Sequence, residues 1–421
     1  MRSMAPFFIA LRYLLGRAHE GGRYLRGAAT GIALSLVPII VTLIVADGMI
    51  WGITDRYLEL GTGHIQVYNF RNTSKLDAVA PLIGAIEGVR GVWAEQHGLG
   101  VLVGKQGKTG ASIRALEPSF WEDPGSRAYL LTVAGEARIA SEEDLLLGEA
   151  LARSLKADIG DTVRLMTVRL DAAGRTIPRM SPFRVRGIIS SGYRELDALW
   201  CIISYEAGKR ILSPDLSSTY LMVKVQDPYR KADAMAPFLN DLLGREYRVY
   251  TWKELQQAQY RSYESTRQLL LFIMALIVLV AAVNVSSATS MLVIERQRDI
   301  AVLKSAGASP AATSGIFLWG SLLTGLTGGS IGIGLGLLLG ANINGIIHGL
   351  EGILSVFSQV FHKEPVKILD PGYYLESIPI IIDWTAVALI GVFTVLSSIF
   401  ASWIPARRAG KLRPLEILRK Y

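Results

Sequence analysis

Cysteine is almost missing from this sequence. Cys201 stands alone, so no disulfide can close within the chain, and the region around it must be held by its own core. Histidine is nearly as scarce: the five residues His19, His64, His97, His348 and His362 are scattered without an H-x-x-x-H pair or a neighbouring cysteine. The spacing that marks a zinc site is therefore absent, and no metal ligand is assigned. No Ser-His-Asp or paired-carboxylate pattern stands out, so no catalytic residue is assigned and the chain reads as a non-enzyme. "GKQGKTG" resembles the end of a phosphate-binding loop, but the first glycine of G-x-x-x-x-G-K-[ST] would fall on Leu102. We read it as a hairpin turn.

Charge is also in short supply, at 19% of 421 residues against roughly 25% in soluble domains. The deficit is local. Gly27 to Ala46, Leu269 to Ile294 and Trp384 to Ala406 are uncharged apolar runs, and Pro310 to Leu350 is a longer one. About 20 apolar residues cross the hydrocarbon core as a helix, so four crossings are predicted, the third with residues to spare. The first reads as an uncleaved anchor, being too long for a signal-peptide core and lacking an A-x-A site.

The net charge of +8 does not point to nucleic acid, because its basic residues flank the crossings. Arg2, Arg12, Arg17, Arg23 and Arg26 precede the first; Arg296, Arg298 and Lys304 separate the second from the third; Arg407, Arg408, Lys411, Arg413, Arg419 and Lys420 follow the last. Lys and Arg beside crossings mark the cytoplasmic side. Four crossings put all three clusters on that side, with both termini cytoplasmic and the large domain outside. Ahead of the first crossing, "APFFIALRYLL" places Phe7, Phe8, Leu11, Leu14 and Leu15 on one side of a short interfacial helix.

The predicted fold is an α-helical membrane domain with four transmembrane helices plus a mixed α/β extracytoplasmic domain inserted between helices 1 and 2. We divide the chain at 1–51, 52–266 and 267–421. In the middle part, "GHIQVYNF" has strand composition and "DAVAPLIGAIEGV" an amphipathic helical pattern. "HGLGVLVGKQGKTGASIRAL" and "TVRLDAAGRTIPRMSPFRVRGIIS" read as hairpins. "EDLLLGEALARSLKADIGDTVRLMTV" reads as a helix, a turn at Gly160-Asp161 and a strand. "DPYRKADAMAPFLNDLL" adds a helix, and "TWKELQQAQYRSYESTRQ" one continuous with the second crossing.

Two features of the membrane half carry more. Gly328, Gly332, Gly336 and Gly340 recur every fourth residue, beside Gly325, Gly329 and Gly334. Such a stripe lets helix backbones approach closely in lipid, and it also offers little resistance to sliding. Between the second and third crossings, "IERQRDIAVLKSAGAS" puts five charges (Glu295, Arg296, Arg298, Asp299, Lys304) into a helix former's composition, with Ile300, Ala301 and Leu303 interleaved. One reading is a solvated juxtamembrane face; the other is a docking helix over 295–306 whose apolar residues enter a groove on a soluble partner.

"LIVLVAAVNVSSATSMLVIERQRDIAVLKSAGAS" resembles the second crossing and following helix of the LolC/LolE lipoprotein-releasing permeases, within the FtsX/MacB-type ABC permease superfamily. "SIFASWIPARRAGKLRPLEILRKY", "FIALRYLLGR" and "GEALARSLKADIGDTVRL" also fit, so the resemblance runs through nearly the whole chain. It implies a permease of the bacterial inner membrane with a periplasmic MacB-like domain and an FtsX-like membrane domain. No cofactor would be bound by this chain; ATP and Mg would sit on a LolD-like cytoplasmic ATPase dimer. A second permease, a copy or a paralogue, would complete the pair. Glu295, Arg296, Arg298, Asp299, Ile300, Leu303 and Lys304 would form the coupling helix.

The resemblance further implies a lipoprotein substrate, handed to a LolA-like periplasmic carrier through a hairpin hook on one of the permeases. The hairpin Leu170 to Phe183 matches that position, with Arg175, Ile177, Pro178, Arg179 and Met180 as carrier-binding candidates. The family's hook-bearing member carries basic and amide residues just before the returning strand, where Met180, Ser181 and Pro182 stand here. At about 0.8 kcal/mol per CH₂, moving a 16-carbon acyl chain from bilayer to water costs roughly 12 kcal/mol, so the cargo's chains must pass between apolar surfaces. Met49, Ile50, Trp51 and Leu269 are candidates for the mouth of such a cavity, and equally for plain lipid-facing residues. Within the superfamily the rivals are an efflux or peptide-export permease of the MacB kind and an FtsX-like signalling subunit that controls cell-wall hydrolases.

Overall fold

The computed structural model describes residues 5–15, 21–71, 73–105, 107–170, 174–360, 375 and 377–414. Arg2, Arg17, His19, His362, Arg419 and Lys420 lie outside them. Before the sheet come α1 (Ala5–Leu15), α2 (Gly21–Arg56) and a π-helical turn, Tyr57–Thr62. Then follow β1 (Ile65–Tyr68), α3 (Ser74–Gly84), β2 (Val89–Val103), β3 (Lys108–Leu116), α4 (Pro124–Tyr129) and β4 (Leu131–Gly135). The chain continues through β5 (Asp144–Gly148), α5 (Glu149–Leu155), β6 (Thr162–Leu170), β7 (Thr176–Ser190), α6 (Arg194–Asp197), β8 (Trp200–Ser204) and α7 (Tyr205–Ile211). The sheet region ends with β9 (Ser218–Val225), α8 (Ala232–Leu243), β10 (Arg248–Thr251) and α9 (Trp252–Leu255). The remainder is helical: α10 (Gln257–Glu295), α11 (Gln297–Ser305), α12 (Pro310–Ala341), α13 (Ile343–Val360) and α14 (Trp384–Lys411).

Two compact units emerge. One holds Ile50–Ser262 with Glu364–Ser377; the other holds Met1–Met49, Tyr263–Lys363 and Ile378–Tyr421.

The first unit is built on a mixed ten-stranded sheet. β3 pairs with β8 and β5 with β7 in parallel; the other pairings are antiparallel. β6 joins β7 to β2, so the pairings β2–β3–β8–β5–β7–β6 close on themselves. Closure removes exposed strand edges from this part of the sheet. Leu102, Ile113, Leu145, Leu147, Val163, Leu165, Val185 and Ile203 fill the ring's core together with Cys201, which is free and fully buried. Burial pushes the Cys201 thiol up to about 12, so it is inert packing.

Several sequence expectations need adjusting. "DLLLG" is a strand, β5, where a helix is predicted; all five residues are buried, and a strand covered on both faces shows no alternation to betray it. The helix expected to join the second crossing without a break is interrupted at Gln256 (φ −107°, ψ 32°), and α10 starts after it. "GKQGKTG" is the turn between β2 and β3, closed by Gly104 N–H donating to the Gly107 carbonyl at 2.9 Å. On α1 the inward residues are Ala10 and Leu14, while Phe8 points outward.

In the second unit, α2, α10, α12 and α14 are, among the described residues, the helices long and apolar enough to cross a membrane. The glycine stripe on α12 meets α2. A β-carbon on Gly332 would lie 2.8 Å from both the Ala33 carbonyl oxygen and Leu36 Cβ, and one on Gly336 would lie 2.7 Å from Ile40 Cβ. Gly328 and Gly340 face Ala29 and Ile44 in the same way. Lipid supplies no hydrophobic drive between helices, so this close backbone fit is what holds the pair. Thr289 Oγ1 on α10 adds a polar tie, lying 3.2 Å from both Ser321 Oγ on α12 and Ser402 Oγ on α14. All three hydroxyl residues are buried.

Gly332→Leu is expected to destabilise the bundle by about 1–3 kcal/mol, as overpacking does, read as a lowered melting temperature of the detergent-purified protein. Gly329→Ala is the control, since a β-carbon there meets nothing within 4 Å. Equal melting temperatures for the two variants would refute the stripe's packing role.

Candidate functional site

The α10–α11 junction turns at Arg296 (φ −96°, ψ 17°), and α11 then runs as a separate helix of 9 residues. Its charges are organised from within. Arg296 pairs with Asp299 at 3.1 Å and lies over the Tyr13 ring at 5.3 Å. Lys304 Nζ donates to the carbonyls of Gly410 (2.8 Å) and Leu412 (2.7 Å), capping the end of α14. Glu295 is half-buried where α10 ends.

The apolar residues expected to enter a partner's groove are placed otherwise. Ile300 is 2% exposed and packs with Ala10, Leu14, Leu292, Phe317 and Ala406, and Leu303 packs against the same cluster. The apolar side chain that α11 turns outward is Val302, 56% exposed. Arg298, Val302, Ser305 and Ala306 make the exposed ridge, at the spacing of one helix face. Composition alone could not choose between two apolar faces on so short a helix. That choice is made by the packing of α1, α10, α12 and α14 around it.

The hairpin β6–β7 pairs in register up to Leu170 opposite Thr176; residues 171–173 at its tip lie outside the described residues. Ile177, Pro178 and Met180 are exposed, with Val168 beside them on β6, so the distal part of the arm offers an apolar surface. Arg179 is turned back, its Nη1 donating to the Arg210 carbonyl at 2.8 Å. Arg175 holds interactions of its own. Of the four residues named for a cavity mouth, Met49 and Ile50 are half-buried and Leu269 is exposed. Trp51 packs its ring 4.1 Å from the Tyr229 ring within the sheet unit.

Two charged clusters escape the sequence reading. In the helical unit, Arg267 of α10 reaches Asp47 of α2 at 3.0 Å and Asp383, the N-cap of α14, at 2.5 Å. One arginine thereby ties three spanning helices at the end where the chain leaves α2 for the sheet. The signal was available: Asp47 is the first charge after an uncharged run of spanning length, and such residues rarely lack a partner.

In the sheet unit, Lys224 of β9 is fully buried, its ammonium 2.7 Å from Asp123 and 3.1 Å from Glu59. The Phe120 and Trp93 rings lie 4.7 and 5.4 Å away. Arg90 joins Glu59 and reaches Asp123 at 3.2 Å, and His64 Nε2 faces Glu59 at 3.3 Å. His64 Nδ1 accepts from the Val225 N–H at 2.8 Å. Burial pulls the His64 imidazole below its ordinary value, so it stays neutral in this cluster. Burial also raises the Asp123 carboxyl, but the Lys224 hydrogen bond and charge outweigh it and leave the group below the carboxylate range. The clue lay in "STYLMVKV", where Lys224 shares an alternating strand face with Met222 and Tyr220. Among the described residues no group of histidines, cysteines and carboxylates could hold a metal ion.

A multi-span membrane protein with a mixed sheet unit after its first spanning helix, and a short charged helix between its second and third, has the architecture of an ABC permease. The family model described as the MacB-like periplasmic core domain matches residues 27–238, and that of the FtsX-like permease C-terminal region matches residues 271–414. The chain belongs to the MacB-like periplasmic core domain family, with an FtsX-like permease region behind that domain. It is similar to the lipoprotein-releasing system transmembrane protein LolC of Neisseria meningitidis, 28% identical over 420 residues and 98% of each chain. It is also similar to the lipoprotein-releasing system transmembrane protein LolE of Haemophilus influenzae, 25% identical over 434 residues and 99% of each chain. Among solved structures, the periplasmic region of MacB from Actinobacillus actinomycetemcomitans is 14% identical, with a TM-score of 0.31 over 48% of this chain and 95% of that one.

Lys224→Met removes one partner of a buried ion cluster, and about 3 kcal/mol of stability should go with it. The expected readout is a lower unfolding midpoint of the full chain, with Lys75→Met at the exposed Lys75–Glu246 pair leaving it unchanged. The sign of the pH dependence follows from Asp123. A depressed carboxyl stabilises the fold above its unfolded value, and that contribution is lost as pH falls through the folded one. The wild type should therefore lose stability on acidification more steeply than Lys224→Met; parallel acid profiles would count against the ion pair.

Proposed function

We propose that this chain is the permease subunit of a transporter that extracts lipoproteins from a bacterial inner membrane and releases them toward a periplasmic carrier. Its termini lie in the cytoplasm and its sheet unit in the periplasm. Fuel is burned elsewhere: ATP and Mg are bound by a separate cytoplasmic ATPase dimer, and a second permease, a copy or a paralogue, completes the membrane part. The observation that carries the mechanical half of this reading is the construction of α11. Ile300, Ala301, Leu303 and Lys304 seat it on the bundle, so a push on its exposed ridge is delivered to α1, α10 and α14 rather than lost in a loose loop. Arg298 and Val302 are the residues that meet the ATPase; Arg296 and Asp299, paired with each other, hold the helix in its angle, with Glu295 half-buried at the end of α10.

The cargo half is supported by two relatives named as lipoprotein-releasing that align along nearly the full chain. Extraction of three acyl chains through water would cost roughly 35 kcal/mol, so an apolar route is required, with Met49, Ile50 and Leu269 at its entrance. Trp51 packs on Tyr229 within the sheet unit. The hairpin's Ile177, Pro178 and Met180, flanked by Arg175 and Arg179, form the carrier's landing surface. A MacB-like efflux permease is the second reading, favoured by the description of the family that covers half of the chain.

Val302→Asp and Arg298→Glu are expected to lower cargo-stimulated ATP hydrolysis of the assembled complex at least tenfold, with the melting temperature of the purified permease unchanged. Hydrolysis that stays coupled in both variants would remove α11 as the contact. Depletion of the chain followed by membrane fractionation tests the cargo. Outer-membrane lipoproteins retained in the inner membrane are expected; unchanged sorting with lost tolerance to an exported compound would select the efflux reading.

A further inference from the structure

The helix after the third crossing, α13, falls in a stretch to which the sequence assigned no role, and its two faces are distributed the wrong way round for a helix resting on protein. Ile343, Ile346, Ile347, Leu350, Ile353 and Leu354 recur at the three- and four-residue spacing of one face, while Asn344, His348, Glu351 and Ser355 line another. A helix packed on a water-soluble surface buries the first set and exposes the second. Here Ile353 is 69% exposed, Leu350 47% and Leu354 39%, whereas the Glu351 side chain is only 20% exposed. The later part of the apolar face, Leu350, Ile353 and Leu354, looks away from the protein, while Ile343, Ile346 and Ile347 near its start are half-buried; on the polar face Asn344, Glu351 and Ser355 are half-buried and His348 is exposed.

The chain's own connections fix the level at which this helix begins. α13 begins two residues after α12 ends, so its start lies where a spanning helix emerges. Asn344 clips it there a second time: its Nδ2 donates to the Ile378 carbonyl at 2.9 Å, and its Oδ1 accepts from the Ile378 N–H at 3.0 Å. Ile378 leads directly into Asp383, the cap of α14 and a member of the Arg267 ion cluster, with exposed Trp384 as its first residue. Charged groups and tryptophans collect at the boundary of the hydrocarbon. The start of the helix is thus held, by both connections, at the depth of headgroups and upper acyl chains.

We infer that α13 is an interfacial helix whose face of Leu350, Ile353 and Leu354 is occupied by acyl chains of the leaflet on the sheet unit's side of the membrane. It is not among the helices of the described residues that are long and apolar enough to cross a membrane. With His348 and Glu351 as the charged or titratable groups among its described side chains, it is not a basic helix drawn to anionic surfaces; burial of apolar area holds it. The inference rests on the membrane-spanning bundle and is independent of what the transporter carries.

The test uses the full chain in phosphatidylethanolamine–phosphatidylglycerol nanodiscs, with Leu350→Cys, Ile353→Cys and His348→Cys each carrying a nitroxide. Cys201, buried in the sheet core, stays in place. Oxygen, which partitions into lipid, should relax the labels at 350 and 353 more strongly than a water-soluble nickel chelate does, and the order should reverse at 348. Nickel dominance at 353 would overturn the inference by placing the face in water. Protection of 350 and 353 from both reagents would overturn it by showing a protein cover, such as a second permease.

Discussion

The helical unit depends on one contact, the seating of the α12 glycines on α2. Side chains at Gly328, Gly332, Gly336 or Gly340 would collide with Ala29, Ala33, Leu36, Ile40 or Ile44, so the approach of the two helices is set by the absence of atoms. In lipid no hydrophobic force can make up for a lost fit. Beside it, α2 shares a buried core with Met274, Val278, Ala281 and Val285 of α10 and with Val387 and Ile390 of α14. The same stripe settles the choice between close packing and a free sliding track: interlocked as it is, it is a joint.

Around this joint, buried polar groups gather into shared clusters. Thr289, Ser321 and Ser402 satisfy one another inside the bundle, and Arg267 gathers Asp47 and Asp383 at one end. The sheet unit follows the same rule with Lys224, whose buried charge is met by two carboxylates. Removing one partner in such a group costs far more than the pair contributes, because the survivor is stranded in a low dielectric. These clusters therefore specify which elements lie together more than they add stability.

A transporter of the ABC type has to move force through such a scaffold without melting it. α11 suits that demand by facing two ways. Inward, Ile300 and Leu303 make it part of the core; outward, Arg298 and Val302 remain exposed. At the opposite membrane face, α13 reverses the usual order and offers its apolar side to the surroundings, where a lipid leaflet, rather than water, makes that arrangement favourable.

Much of this could be read before any coordinates. The four spanning helices, the glycine stripe, both hairpins and the short charged helix are local patterns, and periodicity or run length reports them directly because lipid and water impose opposite compositions on neighbouring residues. Strand β5 was lost for the same reason: buried on both faces, "DLLLG" carries no alternation to distinguish it from helix. What a linear string could not settle is which of two similar faces turns inward, as at Ile300 against Val302, or which distant charge answers Asp47 or Lys224. Those outcomes belong to pairs far apart in sequence, brought together by packing, and the desolvation that makes each pairing obligatory arises only when the chain has closed around it.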